Sequence, residues 1–124
     1  MSDLRNYISQ IKKINELKTV KTKVSTKYEI AGVTAKVDGS DAVLFENIKE
    51  SDFNLISNLV GTRKRFAIAV GGTEKNIHEK VISAIKKAKR PKITSGKFME
   101  NKSKNIFSMP IVSHFEKESG PFIT

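Results

Sequence analysis

Gly61-Thr-Arg-Lys-Arg-Phe-Ala-Ile-Ala-Val-Gly-Gly-Thr73 contains the start and stop signals of a short helix. Gly61 and Thr62 turn the chain, and the Thr62 hydroxyl can accept a hydrogen bond from a free amide of the first helical turn. Gly71 and Gly72 end the helix, because glycine adopts a positive φ at low cost. We therefore expect a short helix between two turns, followed by a second helix that Thr73 caps.

The region before this stretch is predicted to alternate helices with strands. Thr26-Lys-Tyr-Glu29 is a capping box, in which the threonine hydroxyl and the glutamate carboxylate each accept from a backbone amide of the other residue. Ala42-Val-Leu-Phe45 has the apolar composition of a short buried strand. The other predicted elements are a helix from about Asp3 to Glu16, a strand over 19–24, the helix from the capping box to Asp38-Gly39, and a strand within 53–60.

The region after the glycine pair is predicted to form one more helix and then an aperiodic segment. The helix stops before Pro91, and its inward stripe comprises Ile77, Val81, Ala84, Ile85 and Ala88. Residues 92–108 are rich in Gly, Ser, Asn and Lys without a period, which indicates a linker. Phe122-Ile-Thr124 follows Gly120-Pro121 as the first residues of a strand with nothing after them. We expect either a fragment or a fold that a second polypeptide completes.

The length and composition fit a single domain with a modest core, and the order of predicted helices and strands makes it a small α/β domain. The chain has 124 residues, of which 38% are hydrophobic and 29% are charged. It has no cysteine, which excludes disulfides, thiolate metal sites and cysteine nucleophiles. No apolar run reaches membrane-spanning length, and the amino terminus lacks the layout of a signal peptide. We therefore expect a cytoplasmic protein without membrane contacts.

The net charge of +10 is concentrated in one segment. Residues 63–104 hold 13 Lys or Arg and 3 Asp or Glu, whereas the rest of the chain is balanced. Such a segment can attract nucleic acid or an anionic partner, or it can be a solvated helix end with a lysine-rich loop. Because lysine outnumbers arginine and few aromatics lie nearby, nucleic acid is the weaker interpretation. The candidate anion or partner contacts are Arg63, Lys64, Arg65, Lys86, Lys87, Lys89 and Arg90.

The sequence contains no catalytic constellation, so we predict no catalytic, cofactor-binding or metal-binding residue. Residues 61–65 resemble an anion-binding turn, but they lack the ending of a phosphate loop and also fit a simple helix start. His114, Glu116 and Glu118 would share one face of an extended segment and could hold a divalent metal. A neighbouring lysine favours an exposed loop histidine instead. His78 is expected to face solvent.

Several blocks resemble the amino-terminal domain of the UbiD-like decarboxylases, which use prenylated flavin mononucleotide. The most distinctive is Asn58-Leu-Val-Gly-Thr-Arg-Lys-Arg65. The resemblance rests on the order and spacing of the blocks rather than on one motif. The others are Asp3-Leu-Arg5, Tyr28-Glu-Ile-Ala31, Leu44-Phe-Glu-Asn47, Asp52-Phe53, Met109-Pro-Ile111, His114 and Gly120-Pro-Phe-Ile-Thr124, where many relatives have tyrosine for phenylalanine.

The resemblance implies an α/β amino-terminal domain over 1–91, a linker over 92–108, and a segment over 109–124 that leads into a missing central barrel domain. It also implies a carboxy-lyase acting on an aromatic or α,β-unsaturated acid, such as anhydromevalonate phosphate or a hydroxybenzoate. Prenylated FMN, a divalent metal (Mn or Mg) and potassium would be bound by the complete enzyme, with none in this chain. The implied partner is a polypeptide with the central and C-terminal domains, in an oligomeric enzyme. This chain alone would be inactive.

The alternative is a basic binding module that contacts nucleic acid or an anionic partner through residues 63–104.

Overall fold

The computed structural model describes residues 3–93, 95–96 and 99–120. In this part of the chain, short strands are interspersed among the first helices, and a 3₁₀ helix follows the last α-helix. The elements are α1 (Leu4–Lys13), β1 (Leu17–Val20), α2 (Glu29–Lys36), β2 (Ala42–Phe45), β3 (Leu55–Ser57), α3 (Arg63–Ala69), α4 (Ile77–Lys86) and the 3₁₀ helix Ile106–Ser108. The predicted α/β class is confirmed. None of the helices described is long and apolar enough to cross a membrane.

The three strands form one mixed sheet in the order β1-β2-β3. β1 pairs with β2 in parallel, with Leu17 opposite Ala42, and α2 makes the crossover that a parallel pair requires. β3 runs antiparallel to β2, with Phe45 opposite Leu55. β2 therefore lies in the centre of the sheet, and its residues are the most buried of the three strands.

The sheet has helical elements on both faces. Alternate residues of β2 point to opposite sides, so β2 contributes to the core on each face. Val43 and Phe45 join one cluster, into which α2 inserts the fully buried Ile30. Ala42 joins a second cluster on the other face, with Tyr7 and Ile11 from α1. Leu59 and Ile68 pack against this second cluster and bring the β3–α3 turn and α3 to it.

The second helix begins two residues later than the capping box predicts, with Tyr28 rather than Thr26 at the N-cap position, so that prediction is wrong. α2 starts at Glu29, and Tyr28 before it has a φ of 69°. The Glu29 carboxylate accepts from the Ser25 amide at 2.7 Å, one residue earlier than Thr26. The Thr26 amide instead donates to the Glu50 carboxylate at 2.9 Å. A long-range partner therefore displaced the local motif.

Other boundaries also differ from the sequence prediction. β1 starts two residues early and ends at Val20, and β3 covers only three residues of the predicted stretch. Thr73 does not cap α4: Asn76 takes that position, and its side-chain oxygen accepts from the Thr73 amide at 2.7 Å. The predicted inward stripe of α4 is buried at Ile77, but Ile85 is 73% exposed.

The segment after α4 returns to the domain. The Ser113 amide donates to the Thr26 carbonyl, and the Tyr28 amide donates to the Ser113 carbonyl, both at 3.0 Å. Val112 packs against the cluster under α2, and the Ser51 hydroxyl donates to the Ser108 carbonyl at 2.6 Å. Residues 108–113 therefore belong to the packed structure. The predicted terminal strand at 122–124 lies outside the described residues.

Candidate functional site

Arg65 is the most unusual side chain of the domain, because it is charged and fully buried. It lies in the first turn of α3 with 0% of its surface exposed. The predicted cap positions it: the Thr62 hydroxyl accepts from the Arg65 amide at 3.2 Å, which starts the helix as the sequence indicates. A buried guanidinium is costly unless its donors are all satisfied.

The Arg65 guanidinium is satisfied by groups from three parts of the chain. Nη1 donates to Glu16 Oε2 at 2.8 Å and to the Ser40 carbonyl. Nε donates to the Leu59 carbonyl and Nη2 to the Asn58 carbonyl, each at 3.2 Å. The segment after α1, the loop before β2 and the turn after β3 are thereby joined. Arg65 acts as a structural link: where the sequence predicted a contact with an external anion or partner, the structure places the guanidinium in the interior, bonded to this chain.

The Glu16 carboxylate neutralises this buried charge, and it also pairs with a second cation. Lys64 Nζ lies 2.8 Å from Glu16 Oε1. Hydrogen bonds from Lys64 and then Arg65 hold the pKa of the Glu16 carboxyl below its usual range, against the opposing effect of burial. Lys64 was also predicted to contact an external anion; here it is paired within the chain, with its side chain half-exposed.

The Tyr7 hydroxyl completes the network from the side of α1. It donates to the Leu59 carbonyl at 2.7 Å and lies 3.2 Å from the Arg65 carbonyl. Burial raises the pKa of Tyr7, while the positive charge of Arg65 opposes the increase. The phenol therefore stays protonated as a donor, and it links α1 to the β3–α3 turn.

The turn before α3 depends on a close approach of two residues. Asn58 has a φ of 55°, and its Nδ2 donates to the Val37 carbonyl at 3.1 Å and the Asp41 carbonyl at 2.9 Å. A Cβ placed on Gly61 would lie 1.6 Å from Asn58 Oδ1. Only glycine therefore fits at 61 while the Asn58 amide keeps these bonds.

The remaining basic candidates lie on the surface. Arg63 is exposed, and its Nη2 donates to the Glu74 carbonyl at 3.3 Å and lies 3.2 Å from His78 Nε2. His78 is exposed, as expected. The four basic residues at and beyond the end of α4 are exposed too, and their role as contacts stays a prediction; they are Lys86, Lys87, Lys89 and Arg90.

The three residues weighed as a metal site do not assemble. His114 Nδ1 lies 3.2 Å from Glu118 Oε1, and the Glu118 carboxylate also accepts from the His114 amide at 2.8 Å. Glu116 does not join them, and within residues 3–93, 95–96 and 99–120 no three His, Asp or Glu side chains are grouped to hold a metal ion.

Sequence reasoning missed most of this network. It identified residues 58–65 as distinctive and predicted the cap correctly, but it assigned Arg65 to the surface. Nothing in the sequence pairs Glu16 with a residue 49 positions away. The available signal was the asparagine three residues before a glycine, which is typical of a tight turn.

Residues 8–85 match the family described as the 3-octaprenyl-4-hydroxybenzoate carboxy-lyase N-terminal domain. The anhydromevalonate phosphate decarboxylase of Methanothermobacter thermautotrophicus is 27% identical over 98% of this chain and 28% of its own length. The enzyme of the same name from Methanosarcina mazei is 26% identical over 97% of this chain. This chain therefore spans less than a third of the length of these relatives.

Solved structures show the same fold. An evolved dimeric form of the UbiD-class enzyme HmfF from Pelotomaculum thermopropionicum, in complex with prFMN, superposes with a TM-score of 0.86 at 24% identity. The superposition covers all of this chain and 31% of the HmfF chain. The vanillic acid decarboxylase of Sedimentibacter hydroxybenzoicus in closed form gives 0.81 at 22% identity. With the match over residues 8–85, these likenesses confirm the resemblance: the chain belongs to the family of UbiD-type carboxy-lyase N-terminal domains.

Proposed function

We propose that this chain is the N-terminal part, as a fragment or small subunit, of a UbiD-like carboxy-lyase that decarboxylates an aromatic or α,β-unsaturated acid. The observation that carries the proposal is coverage: 98% of this chain aligns with 28% of a curated decarboxylase. The charged network supports it, because Arg65, Glu16 and Tyr7 are used to hold the domain together. The chain is thus a scaffold that supplies no catalytic residue.

The names of the relatives support a choice of substrates to test. Both curated decarboxylases act, by name, on anhydromevalonate phosphate, and the family description names a hydroxybenzoate. Anhydromevalonate phosphate is the first substrate to test, with hydroxybenzoates second. Prenylated FMN, which accompanies HmfF in its structure, would supply the chemistry of decarboxylation when bound to the complete enzyme. Its divalent metal and potassium would be held by the remaining domains.

The partner in this proposal is a polypeptide with the central and C-terminal domains, in an oligomeric cytoplasmic enzyme. The test is to purify the chain alone and after co-expression with the polypeptide of the same genome that carries those domains. Flavin absorbance and carbon dioxide release are then measured for both samples. We expect neither signal from the chain alone and both from the complex. Stoichiometric flavin on the isolated chain would contradict the proposal.

A second candidate is a basic binding module, which is favoured by the exposed Lys86, Lys87, Lys89 and Arg90. A salt titration against duplex DNA and single-stranded RNA separates the two functions. Tight binding, with an association constant whose logarithm falls steeply as the logarithm of the salt concentration rises, would favour the module. Weak binding without such a slope favours the carboxy-lyase domain.

A further inference from the structure

The apolar face of α4 is only partly used by this domain. Ile77, in the first turn, is 5% exposed, and it anchors the helix. Ile82 and Ile85, one and two turns later, are 52% and 73% exposed. They lie about 60° apart around the helix axis, at about 140° and about 80° from Ile77. One edge of the apolar stripe therefore faces the domain, and the other edge faces outward.

The C-terminal end of this face is basic. Residues 77–90 contain five Lys or Arg and one Glu, and four of the five cations lie at or beyond the C-terminal end of the helix. These cations also face the negative end of the helix dipole. Apolar side chains next to a group of cations at the helix C-terminus fit an apolar groove with an acidic border at that end, in the way an amphipathic helix binds a groove. The same positive charge disfavours a second copy of this chain, whose net charge is also +10.

We infer that the exposed edge of α4, at Ile82 and Ile85, is the surface by which this domain docks onto the polypeptide that carries the remaining domains of the enzyme. This inference rests on the proposed function. The relatives indicate which protein would cover the exposed edge of α4. This chain accounts for 28% of the length of a curated decarboxylase, so most of the enzyme lies elsewhere. Ile82 and Ile85 are neighbours on one helix face, and together they form an exposed apolar patch that such a partner would bury.

The experiment measures the dissociation constant of the complex between this chain and the polypeptide of the same genome with the central and C-terminal domains. Ile82→Gln/Ile85→Gln should weaken binding about 30-fold, since each isoleucine contributes roughly 1 kcal/mol. The matched control is Ile93→Gln/Ile106→Gln, which changes two exposed isoleucines outside α4. We expect the control to change binding less than about threefold. Circular dichroism confirms that both variants remain folded.

Reversing the charge of two lysines tests whether the basic C-terminal end of α4 contributes to docking. Lys86→Glu/Lys87→Glu should slow association about tenfold at low salt, and the difference should shrink as salt is raised. Equal rates at all salt concentrations would remove the acidic border from the inference.

Each other outcome has a distinct meaning. Equal affinity of wild type and Ile82→Gln/Ile85→Gln would overturn the docking face and leave the proposed function intact. Equal weakening by the Ile93→Gln/Ile106→Gln control would show that apolar exposure in general, rather than α4, drives binding. If the wild-type chain forms no complex, the proposed function fails, and the docking face fails with it. A wild-type dimer that the α4 variant abolishes in sedimentation would assign the face to a second copy and refute the inference.

Discussion

Gly61→Ala tests the turn that positions Arg65. The new Cβ would lie 1.6 Å from Asn58 Oδ1, so the Asn58 amide must move. That amide donates to the carbonyls of Val37 and Asp41. Each lost bond costs about 1 kcal/mol, so the substitution should lower the free energy of unfolding by about 2–3 kcal/mol.

A double-mutant cycle isolates this cause. Asn58→Gly removes the obstructing side chain and accepts the positive φ at 58 without strain. In that background, Gly61→Ala should cost less than about 0.5 kcal/mol, which gives a coupling energy of about 2 kcal/mol. Gly32→Ala is the matched control, because its Cβ would meet nothing within 4 Å and it lies within α2. We expect it to be neutral or stabilising by up to about 1 kcal/mol.

Urea titrations followed by circular dichroism measure all these variants. The proposed clash with the Asn58 amide is refuted if Gly61→Ala lowers the free energy of unfolding equally in both backgrounds, or if it lowers it no more than Gly32→Ala does. Either result would mean that the backbone absorbs the new methyl group without displacing the Asn58 amide.

Three further predictions concern the buried network and the start of α2. Arg65→Met should destabilise the domain by about 3–5 kcal/mol, because Glu16 Oε2 and the carbonyls of Ser40, Asn58 and Leu59 lose the hydrogen bonds that Arg65 donates; a urea midpoint within error of wild type would exclude this. The pKa of Glu16 is lowered on folding, so its contribution is present above the unfolded pKa of about 4.3 and is lost as pH falls through the folded pKa. The stability gap between wild type and Glu16→Gln should therefore narrow on acidification, and a gap constant with pH would contradict it. Ser25→Ala should cost about 1–2 kcal/mol, since its hydroxyl donates to Glu50 and accepts from the Lys27 amide, whereas Thr26→Ala should cost less; thermal unfolding that ranks them in reverse would restore the capping box.

The sequence predicted the parts of the fold that depend on local chemistry. The central strand at 42–45 was correct, because four consecutive apolar residues have few alternatives to burial. The Thr62 cap and the glycine at the end of α3 were also correct, since a hydroxyl reaching a nearby amide and a φ of 69° at Gly71 depend on neighbours in the chain. Local periodicity placed the helices, although it did not show which faces are covered.

Only the tertiary structure decided what the charged residues do. Arg65 belongs to a run of three cations, and sequence alone places such a run on the surface; folding buries the guanidinium and brings it within 2.8 Å of the partly exposed Glu16. Glu50 takes the place of Glu29 as acceptor of the Thr26 amide for the same reason, since folding brings a carboxylate from 24 residues away to within 2.9 Å. Partners distant in sequence leave no local pattern, because they meet only when folding closes the long stretch of chain between them.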